Sequence, residues 1–184
     1  MTSLRVGVFL DRDGVLNQRP RQHDYVRSPE GFGWLPGAAE AVARLGAAGF
    51  AVIVVSNQRG IARGLVSWET IRAIERLVRQ GAAEHGGSVA GFYYCPHETD
   101  AGCDCRKPAP GLLVRAAAEH RIDISASTMI GDSESDVEAG RAAGCRTIRI
   151  AEAGTASSAD AVCESLAAAV DCLTEPSAGE LARA

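Results

Sequence analysis

The sequence predicts an α/β fold: a doubly wound, Rossmann-like parallel sheet with helices on both faces and no large cap domain. Three observations predict it. Strand-like apolar runs alternate with segments of helical spacing along the whole chain, the pattern of repeated βα units. Several of the strand runs are continuously apolar, as in strands buried on both faces. A polar cluster follows each of three strands, where open α/β sheets collect ligands at the carboxyl ends of their strands. At 184 residues the chain has room for one such domain with a sizeable core and too few for two comfortable ones. That domain is expected to span residues 1–175, with 176–184 as a frayed tail.

Each element has its own local justification. Residues 6–10 (Val-Gly-Val-Phe-Leu) read as the first buried strand, and Asp11-Arg12-Asp13-Gly14 follows at once; Gly14 lets the backbone turn sharply out of it. After a polar loop, Pro36-Gly37 opens a helix to about Ala48, with Ala39, Val42, Ala43 and Leu45 inward and Gly49 ending it. Residues 51–55 are a second strand, rich in β-branched side chains, that runs into Ser56-Asn57-Gln58-Arg59-Gly60. Ser67 is a good N-cap for a helix carrying Ile71, Ile74, Leu77 and Val78 on one face. Residues 91–94 form a third strand that ends in a Cys/His cluster, and Pro110 begins a helix with Leu112, Leu113, Ala116 and Ala117 inward. A short strand over 128–130 leads into Gly131-Asp132-Ser133-Glu134-Ser135-Asp136, followed by a helix to Ala143 and a strand to Ile150. Residues 153–158 read as a loop and 161–173 as a final amphipathic helix.

Composition excludes whole classes of function. A formal net charge of −4 and the lack of a Lys/Arg-rich stripe argue against nucleic acid as a partner. The positive charge around Arg59, Arg63, Arg106 and Lys107 is local and suits a small anionic substrate. No run approaches the ~20 apolar residues that span a bilayer, so no membrane partner is expected. The first strand begins within a few residues of Met1, leaving no room for a signal peptide, and the chain reads as cytoplasmic.

Three of the strand ends carry chemistry that becomes coherent if the sheet brings them together. Carboxylates such as Asp11 and Asp132 suit Mg²⁺, which is held by one or two carboxylates with waters and substrate phosphate. A carboxylate can also attack phosphorus, and a neighbouring one can protonate the leaving oxygen and then activate water. Ser56 and Asn57 offer hydrogen bonds to a transferring phosphoryl group, and Lys107 offers charge.

Of the six cysteines, Cys95, Cys103 and Cys105 cluster with His97, while Cys145, Cys163 and Cys172 are scattered and read as buried small apolar residues. Three thiolates and an imidazole within eleven positions are the ligand set of a closed tetrahedral zinc site. Sulfur ligands favour zinc over magnesium, so a second, structural metal in a small loop over 95–105 is expected. Because Cys105 is followed by Arg106-Lys107, that zinc would fix Lys107 in place.

Asp11-Arg12-Asp13-Gly14, Ser56-Asn57, Lys107 and Gly131-Asp132 with Asp136 resemble, in order and spacing, the four signature motifs of the haloacid dehalogenase superfamily of phosphohydrolases. The resemblance implies Asp11 as nucleophile and Asp13 as general acid/base. It implies Mg²⁺ on the Asp11 carboxylate, the Asp13 carbonyl and the Asp132 carboxylate, with Asp136 behind the metal or completing it through water. Within that superfamily, Cys95-Pro96-His97 and Cys103-Asp104-Cys105-Arg106-Lys107-Pro108 are similar to two groups, one acting on heptose 1,7-bisphosphate and one on histidinol phosphate. Asp24-Tyr25-Val26, Gly33-Trp34-Leu35-Pro36-Gly37 and the stretch from Ser56 to Gly64 are more like the heptose group. The five-residue gap between His97 and Cys103 is like the histidinol-phosphate group, and Ser133 stands where the heptose enzymes carry a lysine. The resemblance implies that Tyr25, Ser56, Asn57, Gln58, Arg59, Arg106 and Lys107 contact the substrate, with Arg106 facing the second phosphate. The expected function is removal of the 7-phosphate of the heptose bisphosphate, with histidinol phosphate as the alternative, by a small open domain acting as a monomer.

Overall fold

The computed structural model describes residues 3–21 and 24–174; the expected tail over 176–184 lies outside them. Its strands are β1 (Arg5–Leu10), β2 (Ala51–Asn57), β3 (Gly91–Cys95), β4 (Ile122–Gly131), β5 (Arg146–Ile150) and β6 (Ala161–Cys163). They form one sheet in the order β3-β2-β1-β4-β5-β6, and every neighbouring pair is parallel. The helices are α1 (Ala38–Ala47), α2 (Trp68–Glu84), α3 (Gly111–His120), α4 (Glu134–Ala143) and α5 (Leu166–Thr174).

Period-two alternation sorts the apolar residues of the central strands onto two faces. Val8, Leu10, Val52 and Val54 join one core with Val42 and Leu45 of α1, Ile74 and Val78 of α2, and Ala169 and Val170 of α5. Phe9, Ile53 and Val55 point the other way, to Leu112, Leu113 and Ala116 of α3 and Ala139 of α4. A helix layer on each face explains why these strands read as unbroken apolar runs. The chain builds outward from β1 to β2 and β3, then returns to place β4 on the other side of β1. The reversal point therefore lies between β1 and β4, where such sheets open a crevice.

Local signals set several boundaries as expected. Ser67 caps α2, its Oγ accepting from the Thr70 N–H at 3.0 Å, and Gly49 follows α1 at φ +89°. Two elements depart from the sequence reading. The predicted strand over 128–130 begins at Ile122: Arg5 and Val6 pair with Ile122 and Asp123, the register then shifts, and pairing resumes at Thr128. Ser127 lies at that irregularity, its Oγ accepting from the Gly7 N–H at 2.8 Å and donating to the Asp123 carbonyl at 2.6 Å. It supplies the hydrogen bond that the interrupted ladder cannot.

The predicted helix over 161–173 is instead a strand and a shorter helix. Ala161–Cys163 pairs with Ile148–Ile150 at the sheet edge, and the helix starts only at Leu166, after Ser165 Oγ has accepted from the Ala168 N–H at 3.2 Å. Of the scattered cysteines, Cys145 and Cys163 are buried, but Cys172 is exposed, with its sulfur 3.7 Å from that of Cys163.

Candidate active site

The carboxyl ends of β1, β2 and β4, with the segment before α3, converge on one small cavity. It measures about 150 Å³ and is lined by Asp11, Asp13, Arg19, Ser56, Asn57, Lys107, Ser133, Ser135 and Asp136. Lys107 is the electrostatic hub. Its buried Nζ lies 2.9 Å from Asp11 Oδ1 and 2.6 Å from Asp136 Oδ1, and donates to the Val55 carbonyl at 2.9 Å. All three ammonium hydrogens are thereby used. Burial works against its charge, but Asp11 and Asp136 outweigh it and hold the Lys107 pKa above the ordinary lysine value. Asn57 fixes the lysine's backbone, its Nδ2 donating to the Lys107 carbonyl at 3.0 Å and its Oδ1 accepting from the Lys107 N–H at 3.1 Å.

Asp11 sits at the foot of the cavity, its Oδ1 accepting from the Arg12 N–H at 2.8 Å. Burial pushes its pKa up to about 6, against the pull of Lys107. Asp132 is raised to about 7, first by burial and then by the charge of Asp11. Oxygens of Asp11, Asp132 and Asp136 all lie within 4.8 Å of one another. Burial and mutual repulsion favour the protonated forms of Asp11 and Asp132 until a cation arrives. An all-oxygen set of this kind fits Mg²⁺, so the residues present suit the metal that the sequence implied. Ser133 precedes α4, its N–H and Oγ both donating to Asp136 Oδ2, at 3.0 and 2.6 Å. Asp136 thus serves both the helix start and Lys107, with one oxygen for each.

Gly14 and Gly131 permit this crowding. Gly14 has φ +97°, and a Cβ there would collide with the Asp132 carboxylate; a Cβ on Gly131 would collide with Asp136. Ser56 Oγ accepts from Gln58 Nε2 at 3.0 Å, which leaves its own hydrogen free to donate into the cavity.

A larger cavity of about 500 Å³ adjoins the first, sharing Asp13, Arg19 and Asn57 and adding Pro20, Arg21, Asp24, Tyr25 and Gln58. This volume suits a sugar-sized ligand. Arg59 stands behind Tyr25, its Nε donating to Tyr25 Oη at 3.2 Å and its Nη1 to Thr99 Oγ1 at 3.1 Å. Arg63 pairs with Glu98 at 2.7 Å, so the loops after β2 and β3 are held together. Arg106 Nη1 donates to the His97 carbonyl at 3.4 Å, and neither Arg59 nor Arg106 lines the two cavities.

The positive charge that does reach both is Arg19, whose Nη2 lies 2.6 Å from Asp132 Oδ1. Sequence reasoning missed Arg19. The available signal was a pair of arginines, Arg19 and Arg21, beginning six residues after the Asp-x-Asp pair, in the loop leaving β1. It also assigned no role to Arg12, which is 1% exposed.

The Cys/His cluster sits beside this site. Cys95 Sγ is 3.6 Å from His97 Nδ1 and 3.7 Å from Cys103 Sγ, and Cys105 Sγ is 3.3 Å from His97 Nδ1. Ligands about 2.0–2.3 Å from a tetrahedral zinc stand about 3.5–3.8 Å apart; the 3.6 and 3.7 Å spacings fit that metal, and the Cys105–His97 pair is about 0.2 Å closer. Burial, then the neighbouring Cys95 and Cys103, pushes the Cys105 thiol up to about 12, while against burial the hydrogen bonds Cys103 receives bring it down to about 7.

The chain is similar to known proteins. The HAD-hydrolase-like family model matches residues 104–172. The D-glycero-beta-D-manno-heptose-1,7-bisphosphate 7-phosphatase of Pseudomonas aeruginosa is 41% identical over 78% of this chain and 79% of its own. The corresponding alpha enzyme of Mycobacterium tuberculosis is 40% identical over 86% of each chain. The crystal structure of D,D-heptose 1,7-bisphosphate phosphatase from Bordetella bronchiseptica, complexed with magnesium and phosphate, superposes with a TM-score of 0.82. It is 37% identical, and the match covers 91% of this chain and 97% of that one.

Proposed function

This chain belongs to the haloacid-dehalogenase-like hydrolases, and from that membership we propose a Mg²⁺-dependent phosphatase acting on D-glycero-D-manno-heptose 1,7-bisphosphate. It removes the 7-phosphate and leaves heptose 1-phosphate. The observation that carries the reading is the convergence of Asp11, Asp13, Ser56, Lys107 and Asp136 on one small cavity that opens into a sugar-sized one. The names of the relatives favour the heptose bisphosphate over histidinol phosphate.

In this mechanism an Asp11 carboxylate oxygen attacks phosphorus in line with the sugar oxygen, and an aspartyl-phosphate forms on Asp11. Asp13 delivers a proton to the departing sugar oxygen and then takes one from the water that hydrolyses the acyl phosphate. Ser56 donates a hydrogen bond to the equatorial phosphoryl oxygens, and Lys107 offsets their charge. Asp11, the Asp13 carbonyl and Asp132 would hold Mg²⁺, which would supply neutralisation of the phosphoryl charge. Asp136 orients Lys107 from behind.

Tyr25 and Asn57 shape the sugar side, with Arg59 bracing Tyr25 from behind, and Arg106 would meet the second phosphate only by turning away from the His97 carbonyl. Zinc on Cys95, His97, Cys103 and Cys105 holds that loop. Residues 1–175 act as one catalytic unit, as a monomer. The cysteine-rich metal set suits the reducing cytoplasm, and among the described residues no helix is long and apolar enough to cross a membrane.

The test is Mg²⁺-dependent phosphate release from heptose 1,7-bisphosphate and histidinol phosphate, compared as kcat/KM. A preference of ~100-fold for the bisphosphate, about 2.7 kcal/mol at the transition state, supports the reading, and the reverse preference overturns it.

A further inference from the structure

We propose that Gln58, together with Arg12, is a positioning residue that sets the direction of the Asp13 carboxylate, an assignment that rests on Asp13 transferring the proton. Sequence reasoning put the Gln58 side chain on the substrate. In the structure Gln58 is 2% exposed and its amide is engaged inside the protein. Nε2 donates to Asp13 Oδ2 at 2.9 Å and to Ser56 Oγ at 3.0 Å, while Oε1 accepts from Arg12 Nη2 at 3.2 Å. A guanidinium can only donate, so the amide oxygen must face Arg12 and the NH₂ must face Asp13.

Arg12 completes the grip. Its Nε and Nη2 reach Asp13 Oδ1 at 3.1 and 3.0 Å, and Nη2 also reaches Oδ2 at 2.9 Å. Asn17 Nδ2 adds a bond to Oδ1 at 2.9 Å. Arg12, Asn17 and Gln58 are buried, whereas the Asp13 side chain keeps 21% of its surface open toward the cavity. The carboxylate is therefore held by rigid neighbours on its inner side and free on the side where a leaving oxygen would stand. Gln58 is itself fixed from the backbone, its N–H donating to the Cys95 carbonyl at 2.7 Å. The direction of Asp13 is thus coupled to the first residue of the cysteine cluster.

Loss of the Gln58–Ser56 bond bears on both esters alike, whereas aiming a proton donor matters in proportion to how badly the leaving oxygen needs the proton. Gln58→Met keeps the length of the side chain and removes both polar atoms. With the full chain and saturating Mg²⁺, kcat/KM is measured on a sugar phosphate, whose alkoxide leaves poorly, and on 4-nitrophenyl phosphate, whose phenolate leaves unaided. The expected result is a loss of about tenfold or more on the sugar ester and less than about threefold on the aryl ester. Gln58→Asn, which withdraws the same amide from Asp13, serves as a second variant with the same expected ratio should Gln58→Met fold poorly. Equal losses on the two esters, or no loss on either, overturn the assignment. An inactive wild-type protein sinks the phosphatase reading with it, whereas an active wild type with equal losses sinks this one alone.

Discussion

Replacing Gly14 with alanine tests whether the reversal point of the sheet is also the metal-binding point. The alanine Cβ would fall inside the Asp132 carboxylate, in collision with both Oδ2 and Cγ, on a backbone at φ +97°. Restoring the 3.4 Å of ordinary contact pushes that carboxylate away by more than about 1 Å. Mg²⁺ holds its ligands at about 2.0–2.1 Å in near-octahedral geometry, which does not stretch to follow such a shift. Misplacement on the order of 1 Å costs on the order of 100-fold in rate. The left-handed backbone adds only about 1–2 kcal/mol of instability, and a chain of this size loses about 2–4 °C of Tm for each kcal/mol. The expected variant is folded, melts about 2–8 °C lower, binds Mg²⁺ at least tenfold more weakly by calorimetric titration and loses about 100-fold in kcat. A variant with wild-type Mg²⁺ affinity and more than a tenth of the activity would refute the reasoning, because Asp132 would then not need its observed position.

Further outcomes follow from the buried charges. Lys107→Met leaves Asp11 and Asp136 together without their counter-ion, which costs about 3–5 kcal/mol; Tm should fall by on the order of 6–20 °C, and a fall under 2 °C would contradict the hub role. Stripping the cysteine cluster with a thiol-compatible chelator, or Cys105→Ser, should release one zinc per chain by elemental analysis. It should also lower kcat in a way that excess Mg²⁺ does not restore; full activity without zinc would disconnect the loop from Lys107. Asp11 and Asp132 have folded pKa values raised to about 6 and about 7 from the ordinary aspartate value of 3.8. The stability they contribute to the metal-free protein is therefore fully present below about pH 4 and is lost as pH rises through 6 and 7. Mg²⁺ must displace the same protons, so its affinity should climb between pH 5 and 7.5; a flat titration series would exclude these aspartates as ligands.

The catalytic frame was legible because its parts are contiguous with strands that any α/β sheet would bury. Asp11 and Asp13 follow an apolar run, and Asp132 follows another, so strand order alone brings them together. What the sequence concealed was direction. Arg12 carries no sequence signal of where it points and Gln58 reads as a substrate contact, yet the packing of β1 against β2 turns both inward onto Asp13. Arg19 was hidden for the opposite reason, since its partner Asp132 is 113 residues away. The strand over 161–163 satisfies helical spacing by itself, and the exposed edge of β5 decides its state. Cys172 looked like a core residue because α5 is apolar on most sides, yet it faces outward.

The pairing of β1 with β4 also sets a timetable for synthesis. Residues 5–10 leave the ribosome first, but the strand that covers their second edge, ending at Ile130, follows some 120 residues later. At about 5–20 residues per second this is a delay of about 6–24 s. Throughout it, Val8, Phe9 and Leu10 sit on a strand with one open flank, the configuration most prone to pair with another nascent chain. Because Asp132 arrives with that same late strand, no shorter nascent chain carries the complete acidic cluster. One of the two central strands is therefore the longest-standing liability during translation, and chaperone dependence should be greatest before residue 131 emerges.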